Sequence, residues 1–381
     1  MGHVKALREF LESRGIKQCP ICFDGLSAKL VQNHGFPFCF AGGFAMSAVR
    51  LGLPDTGLIS YGEMVDQGQL ITQAVSIPVI VDGDNGYGNA LNVKRTVKGY
   101  IKAGFAGIMI EDQVSPKACG HTQGKGVVSR QEAVMRIKAA VDARKESGSD
   151  IVIVARTDSR QAVSLDEAFI RIRAFADAGA DALFIDALAS KQEMKAFCEV
   201  CPQIPKMANM LEGGKTPILS ALELEDIGYK FVVYPISLLG VSIKAMQDAL
   251  TAIKGGSVPS PGSMPSFEEI KDIVGFNAYY EEEKLYTAST NLRIPEKDSS
   301  NDSFSGIWSR TLRIKLTGRD GIEKLDLRSP AGFLAGITNI IPGLGGINIK
   351  TLLDGVAEDV GGKVLLDVND SIGDRIQVFV E

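Results

Sequence analysis

The sequence predicts an α/β protein built on a closed (β/α)8 TIM barrel, followed by a small α+β domain. Three observations carry this expectation. The chain has 381 residues, which suits a barrel of about 250 residues with something added. From residue 18 to residue 255, short apolar runs alternate with longer amphipathic stretches. The apolar runs number eight, the count that closes a parallel barrel. An open, doubly wound sheet is the competing arrangement, but no G-x-G-x-x-G follows the first run.

The eight expected strands are 19–23, 36–41, 77–82, 107–111, 151–156, 182–186, 206–209 and 231–234. Helical periodicity fills the gaps at 91–103, 130–144, 165–178 and 218–227. Residues 266–286 read as one further helix, and the Ser-, Asn- and Asp-rich stretch 291–305 reads as a linker. Beyond it, 312–316 and 322–327 alternate apolar and charged residues around the turn Thr317-Gly318-Arg319-Asp320-Gly321. Two short helical pieces follow, then a second hairpin at 363–368 and 375–380. The expected organisation is therefore a catalytic barrel at 1–290, a linker at 291–305 and a small ββααββ domain at 306–381. That last domain carries no cluster of catalytic residue types and reads as a packing or interaction module.

Composition narrows the function. Apolar residues make up 45%, charged residues 23%, and the net charge is −5. There is no basic excess to hold nucleic acid or an anionic membrane. No apolar run approaches the ~18 residues that span a bilayer. The first residues have the character of neither a signal peptide nor a transit peptide. The pairs Cys19/Cys22 and Cys198/Cys201 each read C-x-x-C, but Cys22 lies in a strand-like run and Cys198 in a helical pattern. They read as buried thiols rather than zinc ligands or disulfides. A soluble protein of a reducing compartment, cytoplasmic or plastid, is expected.

In such a barrel the active site lies at the C-terminal ends of the strands. Strand three runs into Asp82-Gly83-Asp84, strand four into Glu111-Asp112, strand five into Arg156-Thr157-Asp158, strand six into Asp186 and strand seven into Asn209. The spacing of Asp82 and Asp84 aims both the same way from a strand. With Glu111 they form an oxygen-rich set that suits Mg²⁺ or Mn²⁺. After strand four comes Lys117-Ala118-Cys119-Gly120-His121. A cysteine between a lysine and a histidine can have a depressed pKa and act as acid, base or nucleophile. Gly42-Gly43 ends strand two, where bare backbone N–H groups could hold a carboxylate. Asp55, in Gly52-Leu53-Pro54-Asp55, is a weaker signal.

These motifs stand in an order that resembles the isocitrate lyase / phosphoenolpyruvate mutase superfamily: Ala41-Gly42-Gly43, Gly52-Leu53-Pro54-Asp55, Asp82-Gly83-Asp84, Glu111-Asp112-Gln113, Lys117-Ala118-Cys119-Gly120-His121 and Ala155-Arg156-Thr157-Asp158. The likeness covers roughly residues 10–290, leaving the C-terminal domain outside. It implies that Asp82, Asp84 and Glu111 hold Mg²⁺, partly through water. It implies that backbone at Ala41, Gly42, Gly43 and Gly120 grips substrate, that Asp186 and Asn209 touch it, and that Arg156 pairs with a developing enolate or carboxylate. Cys119 becomes the acid that protonates the intermediate, on a loop that Lys117 and His121 polarise and that closes as a lid. Asp55 sits near the metal. A swapped last helix and a homodimer or homotetramer are also implied.

The implied activity is Mg²⁺-dependent cleavage of a C–C bond in a small 2-hydroxy or 2-oxo dicarboxylate. Cys119 marks the lyase branch. Gly240 and Phe276 stand where 2-methylisocitrate lyases place arginines, Asp186 where tricarboxylate lyases have Glu, and Cys39 where many have Tyr. A lost arginine leaves a third carboxylate unpaired, so a 2-substituted malate or oxaloacetate is expected. The alternatives are carboxyvinyl-carboxyphosphonate phosphorylmutase or phosphoenolpyruvate mutase activity, and a non-catalytic scaffold. Against the mutase, the sequence offers few cations beyond Arg156 and Lys117 for a transferring phosphoryl group.

Overall fold

The computed structural model describes residues 2–119, 121, 124–289, 311–330, 364–369 and 373–380. The chain divides into two compact units, Met1–Lys284 and Leu285–Glu381.

The first unit is the eightfold barrel. Its strands are β1 (Lys17–Cys22), β2 (Cys39–Ala41), β3 (Val79–Asp82), β4 (Gly107–Glu111), β5 (Val152–Thr157), β6 (Ala182–Ile185), β7 (Met207–Asn209) and β8 (Phe231–Tyr234). They pair in parallel in the order β6-β5-β4-β3-β2-β1-β8-β7. A parallel bridge between Leu183 and Lys206 joins the two ends, so the sheet closes. Every residue of β3, β4, β5 and β6 is buried, as a parallel sheet covered by helices requires.

The helices begin where the sequence supplies caps. Asp24, Ser60, Asn89, Ser129, Ser164, Ser190, Ser220 and Ser266 each accept a hydrogen bond from a backbone N–H of the following turn. Each such cap is worth about 1 kcal/mol. The helix Gly2–Glu12, which buries Leu7 and Leu11, was not read from the sequence. Another expectation is corrected. The single helix at 266–286 is two, Phe267–Val274 and Phe276–Ser289. Between them Gly275 takes φ 95°, the left-handed stop that favours glycine.

The helix after β8, Ser237–Lys254, buries only Leu239 among its eighteen residues. Val241, Met246, Leu250 and Ile253 on it are each more than half exposed.

In the second unit, β9 (Thr311–Thr317), β10 (Glu323–Pro330), β11 (Val364–Asn369) and β12 (Arg375–Val380) form an antiparallel sheet in the order β10-β9-β12-β11. Alternation sorts its faces. Leu312, Ile314, Leu316, Ile376, Val378 and Val380 are buried. Across the strands, Arg313 pairs with Asp326 and Arg375 with Asp367. The linker and the two short helical pieces expected between the hairpins lie outside the described residues.

Candidate active site

The barrel register sets the site. Glu111 on β4 pairs with Arg156 on β5, and Arg156 with Phe184 on β6, so polar groups at the C-terminal ends fall side by side. They surround a cavity of about 540 Å³. Asp55, Asp82, Cys119, His121, Arg156, Asp186, Asn209, Gly42 and Gly43 line it. Of the other expected site residues, Asp84, Glu111 and Lys117 are buried beside that lining, as is Ala41. Gly120 lies outside the described residues.

The acidic corner forms for a different reason than strand spacing. β3 stops at Asp82, and Asp84 sits in the following turn with φ 47°. Its N–H donates to Asp82 Oδ1 at 3.0 Å, which folds the turn back on the strand end. Gly43 shows how close the carboxylates stand. A Cβ there would lie 3.0 Å from Asp82 Oδ2 and 3.4 Å from Asp84 Oδ1.

Lys117 fills this corner. Its ammonium lies 2.8 Å from Asp55 Oδ1 and also pairs with Asp84. Burial alone would lower its pKa, but the surrounding carboxylates, Asp84 first, hold it well above the ordinary lysine value. Burial raises Asp84 to about 6, against the pull of Lys117. Burial raises Glu111 further, to about 8, against the pull of Arg156. Neither Glu111 carboxylate oxygen has a hydrogen-bond partner among the described residues.

This donor set fits a hard divalent cation. Six buried carboxylates (Asp55, Asp82, Asp84, Glu111, Asp158 and Asp186) face three cations whose side chains are equally buried, Lys117, Lys125 and Arg156. Acidic side chains outnumber the cations, and neither Glu111 oxygen is hydrogen-bonded among the described residues. Among the described residues no three acidic, histidine or cysteine side chains form a ready-made cage. Mg²⁺ does not require one, since it keeps several waters and takes one or two carboxylates directly.

On the opposite side, Asp158 grips Arg156 through two hydrogen bonds of 2.9 Å. Arg156 also lies 3.3 Å from Glu111 and 3.4 Å from Asp186. Sequence reasoning missed two supporting residues. Lys125 pairs with Asp158, and with Asp186 at 2.7 Å. Asp112 accepts from Thr157 Oγ1 at 2.6 Å, from the Asp158 N–H at 2.9 Å and from Arg171 at 3.0 Å. It thereby fixes the residue that fixes Arg156. Asp112 stood in a quoted motif, and its position beside Glu111 on a strand end was the available signal. Lys125 follows a loop and had none.

Two roles change. Asp186 is engaged by Arg156 and Lys125, and His121 Nε2 lies 3.3 Å from it, so its charge is already matched within the protein. The flanking Lys117 and His121 allowed Cys119 a depressed pKa. Instead burial, then Asp55, raises its thiol above the usual 9.0. Lys117 is committed to carboxylates and gives the thiol only weak help.

At Gly42-Gly43 the helix Gly43–Leu51 starts at the cavity wall, with Gly42 as its N-cap. First-turn amides have no intrahelical acceptor. Those of Gly43, Phe44 and Ala45 belong to residues that line the cavity and suit an anion there. The remaining wall is largely apolar, with Phe40, Phe184, Leu211, Pro235 and Ile236.

Comparison with known proteins agrees with this picture. The chain is 42% identical over 288 residues to 2,3-dimethylmalate lyase of Eubacterium barkeri, covering 75% of this chain and 99% of the relative. It is 39% identical to the chloroplastic carboxyvinyl-carboxyphosphonate phosphorylmutase of Arabidopsis thaliana, over 74% of this chain and 84% of that one. It is also 39% identical to 2-methylisocitrate lyase of Aeropyrum pernix, over 72% of this chain and 87% of that one. Among solved structures, oxaloacetate acetylhydrolase with 3,3-difluorooxalacetate superposes with TM-score 0.72 at 32% identity, covering 75% of this chain and 97% of that one. Phosphonopyruvate hydrolase in complex with oxalate and Mg²⁺ gives TM-score 0.66 at 27% identity, over 77% and 99%. The relatives thus include C–C lyases of small dicarboxylates as well as phosphoryl mutases, and no helix among the described residues is long and apolar enough to cross a membrane. The family model described as phosphoenolpyruvate phosphomutase matches residues 7–254, and the chain belongs to that family, within the isocitrate lyase / phosphoenolpyruvate mutase superfamily.

Proposed function

We propose that this protein is a Mg²⁺-dependent lyase that cleaves a 2-substituted malate into a 2-oxo acid and a simple carboxylic acid. The observation that carries the reading is Cys119, which lines one cavity with Arg156, Asp55 and Asp82 and whose thiol burial pushes towards the protonated form. A mutase that shuttles a phosphoryl group has no use for a proton donor there. A reaction that leaves a carbanion does.

Asp82, Asp84 and Glu111 would hold the metal, Asp84 giving up its contact with Lys117 or sharing it. When bound, such an ion would supply Lewis acidity to substrate oxygens. The first-turn amides at Gly43, with backbone at Ala41 and Gly42, receive that carboxylate, and Gly120 is assigned to the same task. Asp55 takes the proton of the 2-hydroxyl, which becomes the carbonyl of the oxo acid. The C2–C3 bond breaks, and its electron pair passes to C3 and into the neighbouring carboxylate. Arg156, preorganised by Asp158, faces the charge that develops, with Asn209 beside it. Cys119 then gives its proton to C3, and the proton held by Asp55 returns to the thiolate through solvent. Lys117 and His121 position the Cys119 segment, and Asp186 secures Arg156 and Lys125.

The apolar wall favours an alkyl substituent over a third carboxylate. A second copy of the chain covers the exposed side of the helix Ser237–Lys254, giving a homodimer or homotetramer. Residues 306–381 serve as a packing or interaction module, and residues 1–290 as the catalytic part. A cytoplasmic or plastid setting keeps its six cysteines reduced, none of them in a disulfide here.

The test is a panel of 2,3-dimethylmalate, oxaloacetate, 2-methylisocitrate and phosphonopyruvate, each with Mg²⁺ and with chelator. Metal-dependent release of an oxo acid from a four-carbon-backbone dicarboxylate supports the reading. Turnover of phosphonopyruvate alone overturns it in favour of the mutase branch.

A further inference from the structure

A dicarboxylate brings two anions into the cavity, and at its second carboxylate the residues above supply only Arg156, whose charge is shared with Glu111, Asp158 and Asp186. The metal corner and the Gly43 amides receive the carboxylate beside the hydroxyl. Arg156, Lys117 and Lys125 are already matched by carboxylates. One cationic residue lining the cavity is not. Lys215, in the loop after β7, has no ion pair or side-chain hydrogen bond among the described residues, and its side chain is exposed.

Its placement is nevertheless fixed. The Lys215 backbone N–H donates to His121 Nδ1 at 2.9 Å. Gly214 beside it packs against the same ring, where a Cβ would fall 2.7 Å from Nδ1. The loop that carries Lys215 is thus seated on the segment that carries Cys119. Glu212, three residues earlier and also lining the cavity, accepts from Ser237 Oγ instead of pairing with the lysine. Leu211, Pro235 and Ile236 provide apolar wall near this loop. A cation with no ion pair among the described residues, set beside apolar wall, is the recognition element that a second carboxylate needs, since a carboxylate leaving water requires an opposite charge.

We propose that Lys215 is a specificity-determining residue that pairs with the second carboxylate of the substrate, the one carried away on the carbanion fragment. This rests on the lyase reading. Lys215 would select dicarboxylates over 2-hydroxy monocarboxylates, with the neighbouring apolar wall taking the alkyl substituent.

The experiment compares wild type, Lys215→Met and Lys215→Arg by calorimetry in Mg²⁺ with two probes. Oxalate fills the metal end alone, and 3,3-difluorooxaloacetate reaches the second subsite. Lys215→Met is expected to weaken difluorooxaloacetate about tenfold and oxalate less than about twofold, with KM for the cleaved dicarboxylate rising more than kcat falls. Lys215→Arg recovers most of the affinity. Equal weakening of both probes, no weakening of either, or a wild type that does not bind difluorooxaloacetate overturns the proposal. A wild type that separates the probes through Lys215 yet cleaves no dicarboxylate sinks the lyase reading and leaves the subsite standing.

Discussion

Asp158 holds Arg156 by two parallel hydrogen bonds of 2.9 Å, with the acid wholly buried. Such a fork sets the plane of the guanidinium as well as neutralising it. Asp158→Asn keeps the size but loses one acceptor and the charge. Removing one partner of a buried pair costs about 3–5 kcal/mol. We expect a lower melting temperature and kcat/KM reduced at least about a hundredfold. Activity within a factor of two of wild type would show that Arg156 needs no such clamp.

Asp112 acts one step further back. It fixes the Asp158 N–H and Thr157 Oγ1 while being held by Arg171. Asp112→Asn should lower kcat more than it raises KM, because the substrate-binding surface stays and only the aim of Arg156 suffers. A pure rise in KM would contradict that chain of contacts.

The thiol of Cys119 lies above its usual value because of burial. The sign follows: the protonated form is the active acid, so activity holds through neutral pH and falls as pH rises through the raised value, above about 9. Alkylation by iodoacetamide, which needs the thiolate, follows the opposite course. Cys119→Ser should lose about a hundredfold or more in kcat while binding Mg²⁺ as wild type does. An alkylation rate already at its plateau at pH 7 would contradict a neutral thiol.

Lys117 is the buried cation of the acidic corner, paired with Asp55 and Asp84. Lys117→Met leaves those charges facing one another. Without metal the variant should melt well below wild type, by about 3–5 kcal/mol. Saturating Mg²⁺ should return part of the loss, because a ligand that binds only the folded state stabilises it. Calorimetric melting with and without Mg²⁺ reads both effects. A Mg²⁺ shift no larger than that of wild type would mean that the metal lies elsewhere.

The helix Ser237–Lys254 presents Val241, Met246, Leu250 and Ile253 to solvent. Met246→Glu with Leu250→Glu should convert the assembly to monomers in light scattering. An unchanged mass would free this face of the role assigned to it.

Much of this was legible in the sequence, and the exceptions have physical causes. The eight strands came from buried apolar runs, and two of them, β4 and β8, match to the residue. The acidic corner was found through the two-residue spacing of Asp82 and Asp84, although the true cause is the turn at Asp84, whose φ of 47° no periodicity reveals. Lys125 and Lys215 were missed because loop residues reach a site by the path of the chain. The direction of the Cys119 shift was not legible, because flanking cations in sequence say nothing of where their charges go. Lys117 turned to Asp55 and Asp84 instead.

The central claim is that a C–C bond breaks and the carbon left behind is protonated by Cys119. It is tested most directly by cleaving 2,3-dimethylmalate with Mg²⁺ in D₂O and following both products by NMR. The account predicts pyruvate together with propionate carrying one deuterium at C2, and no products from Cys119→Ser over the same time. Unlabelled propionate, or full turnover by Cys119→Ser, would contradict it.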